Sequence, residues 1–189
     1  MVVYKQYKCE IVGEAPLLMH NGQLADPLNK FTKELKKICG KRNKTDSDFF
    51  EMAKIEFMGS LYVNKDGKAI IPGAVIEAAM VNAGRAVKKG KEMLSAIKCD
   101  NDFVLKYSGD KDCEKRFESE EYRYTAGVLI KRSRIMRTRP IFKDWSANIV
   151  IEYNPTLINL ADVVETIKRA GDNGIMDYRP KFGRFKVVN

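Results

Sequence analysis

Between Arg123 and Lys143 the chain carries seven basic residues, Arg123, Lys131, Arg132, Arg134, Arg137, Arg139 and Lys143, and no acidic one. Five of them fall within the nine positions from Lys131 to Arg139. A guanidinium fork matches two phosphate oxygens at once and can lie flat on a base, whereas an ammonium is a point charge. Tyr122, Tyr124, Phe142 and Trp145 flank the run, so rings able to stack on unpaired bases are close in sequence. The pattern predicts a nucleic-acid contact in which Lys131, Arg132, Arg134, Arg137, Arg139 and Lys143 hold phosphates and Tyr124, Phe142 and Trp145 stack on bases. A solvated basic face is the alternative, and the density of arginine on a chain of net charge +9 weighs against it.

Two further basic groups are less specific. In Tyr178-Arg179-Pro180-Lys181-Phe182-Gly183-Arg184-Phe185, basic and aromatic residues alternate around a glycine. Arg179, Lys181 and Arg184 could meet phosphates and Phe182 a base, or the stretch could be a strand entry with core phenylalanines. Lys30, Lys33, Lys36, Lys37, Lys41, Arg42 and Lys44 have Glu34 as the only acid among them. Lysine dominates there, so a solubilising helix face and a phosphate track read equally well.

Catalytic candidates are few. His20 is the only histidine. RNA cleavage needs a base near the 2′-hydroxyl and a group that stabilises charge building on phosphate. Arg137 or Lys143 could supply the second, but nothing in the sequence makes either meet His20. Binding without cleavage is expected. No GxxxxGK[ST] loop, HExxH helix or nucleophile elbow is present. Cys9, Cys39, Cys99 and Cys113 lie far apart, so reduced thiols are expected, with no cofactor, structural metal or disulfide framework.

The elements that must position these residues follow from periodicity. Tyr4 to Gly13 alternates as a strand, and Pro16 ends it. Phe31, Leu35 and Ile38 have helical spacing, and Thr45 caps a second helix that ends near Gly59. Asp66-Gly67 between Leu61-Tyr62-Val63 and Ala69-Ile70-Ile71 predicts a hairpin. Pro72-Gly73 launches an alanine-rich helix expected to close at Gly90. Ser108 to Glu121 is charged and reads as a mobile loop. Ala126 to Lys131 and Ala147 to Tyr153 read as strands, then come a helix through Ala170 and a strand from Phe182 to Val188. With residues 16–72 set aside as an inserted helical and hairpin subdomain, the order is strand, helix, strand, strand, helix, strand. That order predicts an α+β fold of ferredoxin-like type in one domain over residues 1–189, an antiparallel sheet with two helices on one face and the other face free for a ligand.

Several motifs give the chain a family resemblance. Ile70-Ile71-Pro72-Gly73-Ala74-Val75-Ile76-Glu77-Ala78-Ala79 looks like a strand-to-helix signature, the opening strand leads into a polar loop from Leu17 to Pro27, and a glycine-containing loop from Gly174 to Gly183 precedes the last strand. In these the chain resembles the RAMP superfamily, the RNA-binding proteins that form backbone and processing subunits of CRISPR complexes. Met136-Arg137-Thr138-Arg139-Pro140 with the following Trp145 looks like a stand-alone, phage-encoded relative. The chain departs from the family at Glu77, where Ser is usual, and in having few glycines in the final loop. The resemblance implies an RNA-recognition-like fold, RNA or another single strand as partner, and homo-multimers along the strand. It also implies that His20 or Asp26 would be the cleaving residue of an endoribonuclease, if the chain were one. A rival from another class is a structural protein of a phage assembly whose basic face meets an acidic protein. With no export signal evident and no long apolar run, the expected location is the cytoplasm, of a phage-infected bacterium on the resemblance, with no membrane partner.

Overall fold

The computed structural model describes residues 3–130 and 132–188. In chain order the elements are β1 (Lys5–Gly13), β2 (Leu17–Leu18), α1 (Lys30–Cys39), α2 (Asp46–Ser60), β3 (Ile70–Ile71), α3 (Gly73–Arg85), α4 (Gly90–Ala96), β4 (Ile97–Lys98), β5 (Phe103–Val104), β6 (Lys106–Tyr107), α5 (Cys113–Glu118), β7 (Arg123–Ile130), β8 (Ser133–Phe142), β9 (Trp145–Tyr153), α6 (Leu160–Asn173) and β10 (Phe185–Val188). The fold is α+β with antiparallel sheets. The chain divides into two compact units, the first Met1–Leu17, Val63–Ser108 and Lys143–Asn189, the second Leu18–Tyr62 and Gly109–Phe142. The second unit thus draws on two separate stretches, whereas the sequence pattern set aside only residues 16–72.

In the first unit the sheet runs β10-β1-β9-β4, with β6 also paired to β9. Strand β9 alternates cleanly: Trp145, Ala147, Ile149, Ile151 and Tyr153 are buried, and the residues between them are not. Helices α3 and α6 pack together and add Ile76, Met80, Val163 and Ile167 to this core. The opposite face pairs Gln6 with Glu152, Lys8 with Val150, Glu10 with Asn148 and Val12 with Ser146. Glu10 there accepts from Lys106 Nζ at 2.9 Å and Ser146 Oγ at 3.1 Å. Along these paired strands that face is polar and of mixed charge, without an aromatic ring for a base to stack on.

Close backbone approach explains two glycines. A Cβ on Gly73 would lie 1.9 Å from the Cys99 carbonyl oxygen, so the Pro72-Gly73 step is a packing requirement of this unit. Gly183 has φ +74°, and a Cβ there would lie 2.0 Å from the Ile175 carbonyl oxygen. The glycine of the Tyr178–Phe185 stretch therefore serves the chain's own backbone.

In the second unit Thr45 and Asp48 form the expected capping box of α2, and Asn29 caps α1. Strand β8 pairs with β7, and β2 lies on its other side. Three local expectations change. The Asn64–Gly67 turn forms, but Ile70 and Ile71 pair with Val104 and Phe103, leaving only a Val63–Ala69 bridge of the hairpin. Gly90 opens α4 where a stop was expected. The charged stretch expected to be a mobile loop holds helix α5, capped by Asp112, because two of its side chains are buried. Arg116 lies over the Tyr122 ring at 3.7 Å and the Phe142 ring at 4.5 Å, and Phe117 meets Phe50 and Phe57 edge-on at 5.2 and 5.4 Å.

Candidate nucleic-acid interface

The basic run is itself a strand. Its arginines do not fall at a regular period of two, so the pattern gives no strand from Ser133 to Phe142, yet β7 and β8 pair from Arg123–Pro140 to Ile130–Ser133. Residues opposite each other share a face. One face carries Thr125, Gly127 and Leu129 with Thr138, Met136 and Arg134. The other carries Tyr124, Ala126 and Val128 with Arg139, Arg137 and Ile135.

Exposure is graded along the hairpin. Near the turn, Arg132 and Arg134 are exposed, and so are Leu129 (68%), Met136 (61%) and Ile135. Near the base, Thr138, Arg139, Pro140, Ile141 and Phe142 are buried. Arg137 is half-buried and donates to Glu56 Oε1. The backbone N–H of Thr138 donates to Glu56 Oε2 at 2.9 Å. Glu56 is only 5% exposed, so α2 supplies a buried carboxylate that clamps the base of the hairpin.

A cleft of about 350 Å³ lies beside this clamp. His20, Leu24, Ala25, Leu35, Glu56, Ser60, Val128, Arg137, Thr138 and Arg139 line it. The structure thus brings His20, Arg137 and Arg139 to one wall, a meeting the sequence alone does not reveal. Asp26 is exposed and does not line the cleft; its carboxylate accepts from the Leu28 N–H at 2.8 Å and holds a turn.

The other candidates separate. Lys131 lies outside the described residues. Tyr124 is half-buried and sits across from Arg139. Stacking expected on Phe142, Trp145 or Phe182 meets an obstacle, because these rings are only 1%, 3% and 6% exposed. Trp145 donates its Nε1 to the Ala15 carbonyl at 2.9 Å and packs near Phe185, so it is a core residue of the first unit. Lys143, Arg179, Lys181 and Arg184 are exposed and belong to that first unit.

Two residues of the cleft wall, Glu56 and Ser60, carry no signal of their own in composition. The spacing Phe49, Ala53, Glu56, Ser60 does place both on one stripe of α2, and Glu56 and Ser60 are its buried end. Among the described residues no group of three or more His, Cys, Asp and Glu could hold a metal ion, and no helix is long and apolar enough to cross a membrane. Neither protein-family models nor the sequences of curated proteins match the chain.

Proposed function

We propose that the protein binds single-stranded nucleic acid, RNA by preference, with little sequence specificity and without cleaving it, through the outer half of the β7–β8 hairpin. One observation carries this: Arg132 and Arg134 are exposed beside exposed Leu129 and Met136, on a segment without an acidic residue. Guanidinium groups take phosphates, and adjoining apolar side chains offer a surface to unstacked bases. A duplex hides its base faces, so such a mixed surface suits an open strand better.

We also propose a ferredoxin-like fold for the first unit and kinship with the RAMP superfamily. In support, β1, α3, β4, β9, α6 and β10 follow the strand-helix-strand-strand-helix-strand order, with sheet order β10-β1-β9-β4. Multimerisation along a strand and a phage setting rest on that kinship alone.

A second reading has one observation in its favour. Burial of Phe142, Trp145 and Phe182 leaves few rings beside the arginines, as suits a basic surface that docks on an acidic protein. Fluorescence titration of labelled single-stranded RNA and of a labelled poly-glutamate peptide separates the two. RNA should bind, and Arg132→Ala with Arg134→Ala should weaken it by roughly tenfold or more for every sequence alike. Tighter binding of the peptide than of RNA would transfer the hairpin to the second reading. The RNA should stay intact with and without magnesium; cleavage that His20→Ala abolished while binding persisted would make the protein a nuclease.

A further inference from the structure

We propose that β7 is a dimerisation edge: two copies of this chain join their β7 strands antiparallel, with Gly127 on the two-fold axis. Nucleic-acid binding at the hairpin tip is not needed for this. Strand β7 is the outer strand of the β2-β8-β7 sheet, and among the described residues its other edge pairs with no strand. The backbone groups that it turns outward follow from β8. The Thr138 N–H donates to Glu56 and the Pro140 carbonyl accepts from the Met19 N–H, so both residues turn away from β7. Their partners across the ladder, Thr125 and Arg123, then turn their own N–H and C=O away from β8, and alternation adds Gly127 and Leu129. Thr125, Gly127 and Leu129 are all exposed. Folded proteins guard such an edge with a charge, a proline, a bulge or a covering element. Residues 124–130 carry neither charge nor proline, and their register with β8 runs one residue to one.

Charge and a glycine point to a second copy as the occupant. The chain carries a net charge of +9, and residues 124–130 are the uncharged stretch of the hairpin, so like-charged copies can meet there. Pairing that whole stretch with itself fixes the register. Its midpoint, Gly127, faces Gly127 of the other copy, and Thr125 faces Leu129. The outward groups of Thr125, Gly127 and Leu129 then exchange about six ladder hydrogen bonds between the copies. The two Arg134 backbones stand about 20 Å apart in this register, from strand rise along the pair and strand spacing across it. That exceeds the Debye length of about 8 Å at physiological salt, so the two basic tips oppose the pair only weakly. Arg123, at the end of the paired stretch, has Glu120 at 3.5 Å. Gly127 itself is not required by its own chain. Its backbone lies outside the left-handed region, and a Cβ would lie 3.7 Å from Met136 Sδ and 3.8 Å from Arg134 Cδ, ordinary contacts. Glycine inside a strand weakens it and marks a place where another backbone comes close. A glycine midway between two outward-facing residues suits a self-complementary two-fold pair.

The test is sedimentation equilibrium of the nuclease-treated full chain over a range of concentrations up to about 500 μM. The mass should rise from 21.5 kDa toward twice that value. The Kd should be on the order of 10–100 μM, as suits a small interface. Gly127→Lys and Gly127→Glu each set like charges across the axis, at about 5.5 Å between Cα atoms, and should weaken the pair at least roughly tenfold. An equimolar mixture of the two variants should recover association, because opposite charges then face each other. A variant that fails to fold cannot give that recovery. Thr125→Pro removes an outward N–H and no bond to β8, so it should abolish the pair with the circular dichroism spectrum unchanged. Arg132→Ala with Arg134→Ala should leave association within about twofold, which separates this edge from the contact at the tip. A constant monomer mass at every concentration would overturn the proposal and leave the edge to a strand of another protein. Association untouched by Thr125→Pro or by the Gly127 variants would also overturn it. Weakened single variants without recovery in the mixture would overturn the placing of Gly127 on the axis.

Discussion

The two ends of one hairpin use arginine in opposite ways. At the turn, Arg132 and Arg134 stand in solvent beside exposed Leu129 and Met136. At the base, Arg137 is tied to the buried carboxylate of Glu56, and Arg139 is buried. Four arginines within eight residues therefore do not make one surface. Long side chains on a paired strand are divided first by face and then by distance from the body that buries the strand. The outer pair is available to a large polyanion, and the inner pair is committed to the fold and to a small cleft.

Glu56→Ala gives the largest expected break in that contrast. Removing the buried carboxylate leaves the half-buried Arg137 without its ion pair and the Thr138 N–H unsatisfied, a cost of about 2–3 kcal/mol. Glu56→Gln should cost less, since both acceptor contacts can be kept in part. Urea unfolding measures both. A loss below about 1 kcal/mol for Glu56→Ala would put Arg137 with the exposed arginines and erase the distinction.

A direct comparison of single arginines comes next. Arg139→Ala should destabilise by roughly 2 kcal/mol or more, through lost packing and lost hydrogen bonding at a buried site. Arg134→Ala should stay within about 0.5 kcal/mol, as exposed substitutions do. Equal effects on the midpoint of unfolding would mean that burial does not separate the two ends.

The smallest effect is a pH dependence of α2, the helix that holds the clamp. The Lys41 ammonium, with the Thr45 N–H and hydroxyl, holds the Asp48 carboxyl down at about 2, against an ordinary 3.8. A depressed carboxyl contributes stability above its unfolded value and loses it as pH falls through its folded one. The contribution is present above pH 3.8 and fades toward pH 2. Asp48→Asn should remove it, so wild type and variant should converge in melting temperature across that acid range. A constant difference between them down to pH 2 would contradict the assignment.

Much of the local structure is legible in sequence. The Thr45 cap, the helical spacing of Phe31, Leu35 and Ile38 and the strand from Ala147 to Tyr153 rest on neighbouring residues, whose chemistry sequence displays. What sequence hides is set by remote contacts. Helix α5 forms in a charged stretch because Arg116 and Phe117 find Tyr122, Phe142, Phe50 and Phe57. Strand β8 is obscured because arginines sit at inward positions where apolar residues would mark a strand. Its carboxylate partner is 81 positions away, on α2. The candidate site was therefore legible as a run of cations with rings nearby, and neither the division of the arginines nor the burial of Phe142, Trp145 and Phe182 was. The cleft joins residues from 20 to 139 in the chain, a meeting that no spacing could announce.

Electrostatic contact with a strand at the hairpin tip must appear as a salt dependence of binding. Affinity for a labelled single-stranded RNA is measured against sodium chloride concentration for wild type and for Arg132→Ala with Arg134→Ala. At about −0.7 per phosphate contact, two to four contacts give the wild type a log–log slope between about −1.4 and about −3. The double variant should be shallower by about 1.4, the share of two contacts. A wild-type slope near zero, no binding at low salt, or the same slope in both proteins would rule out that contact.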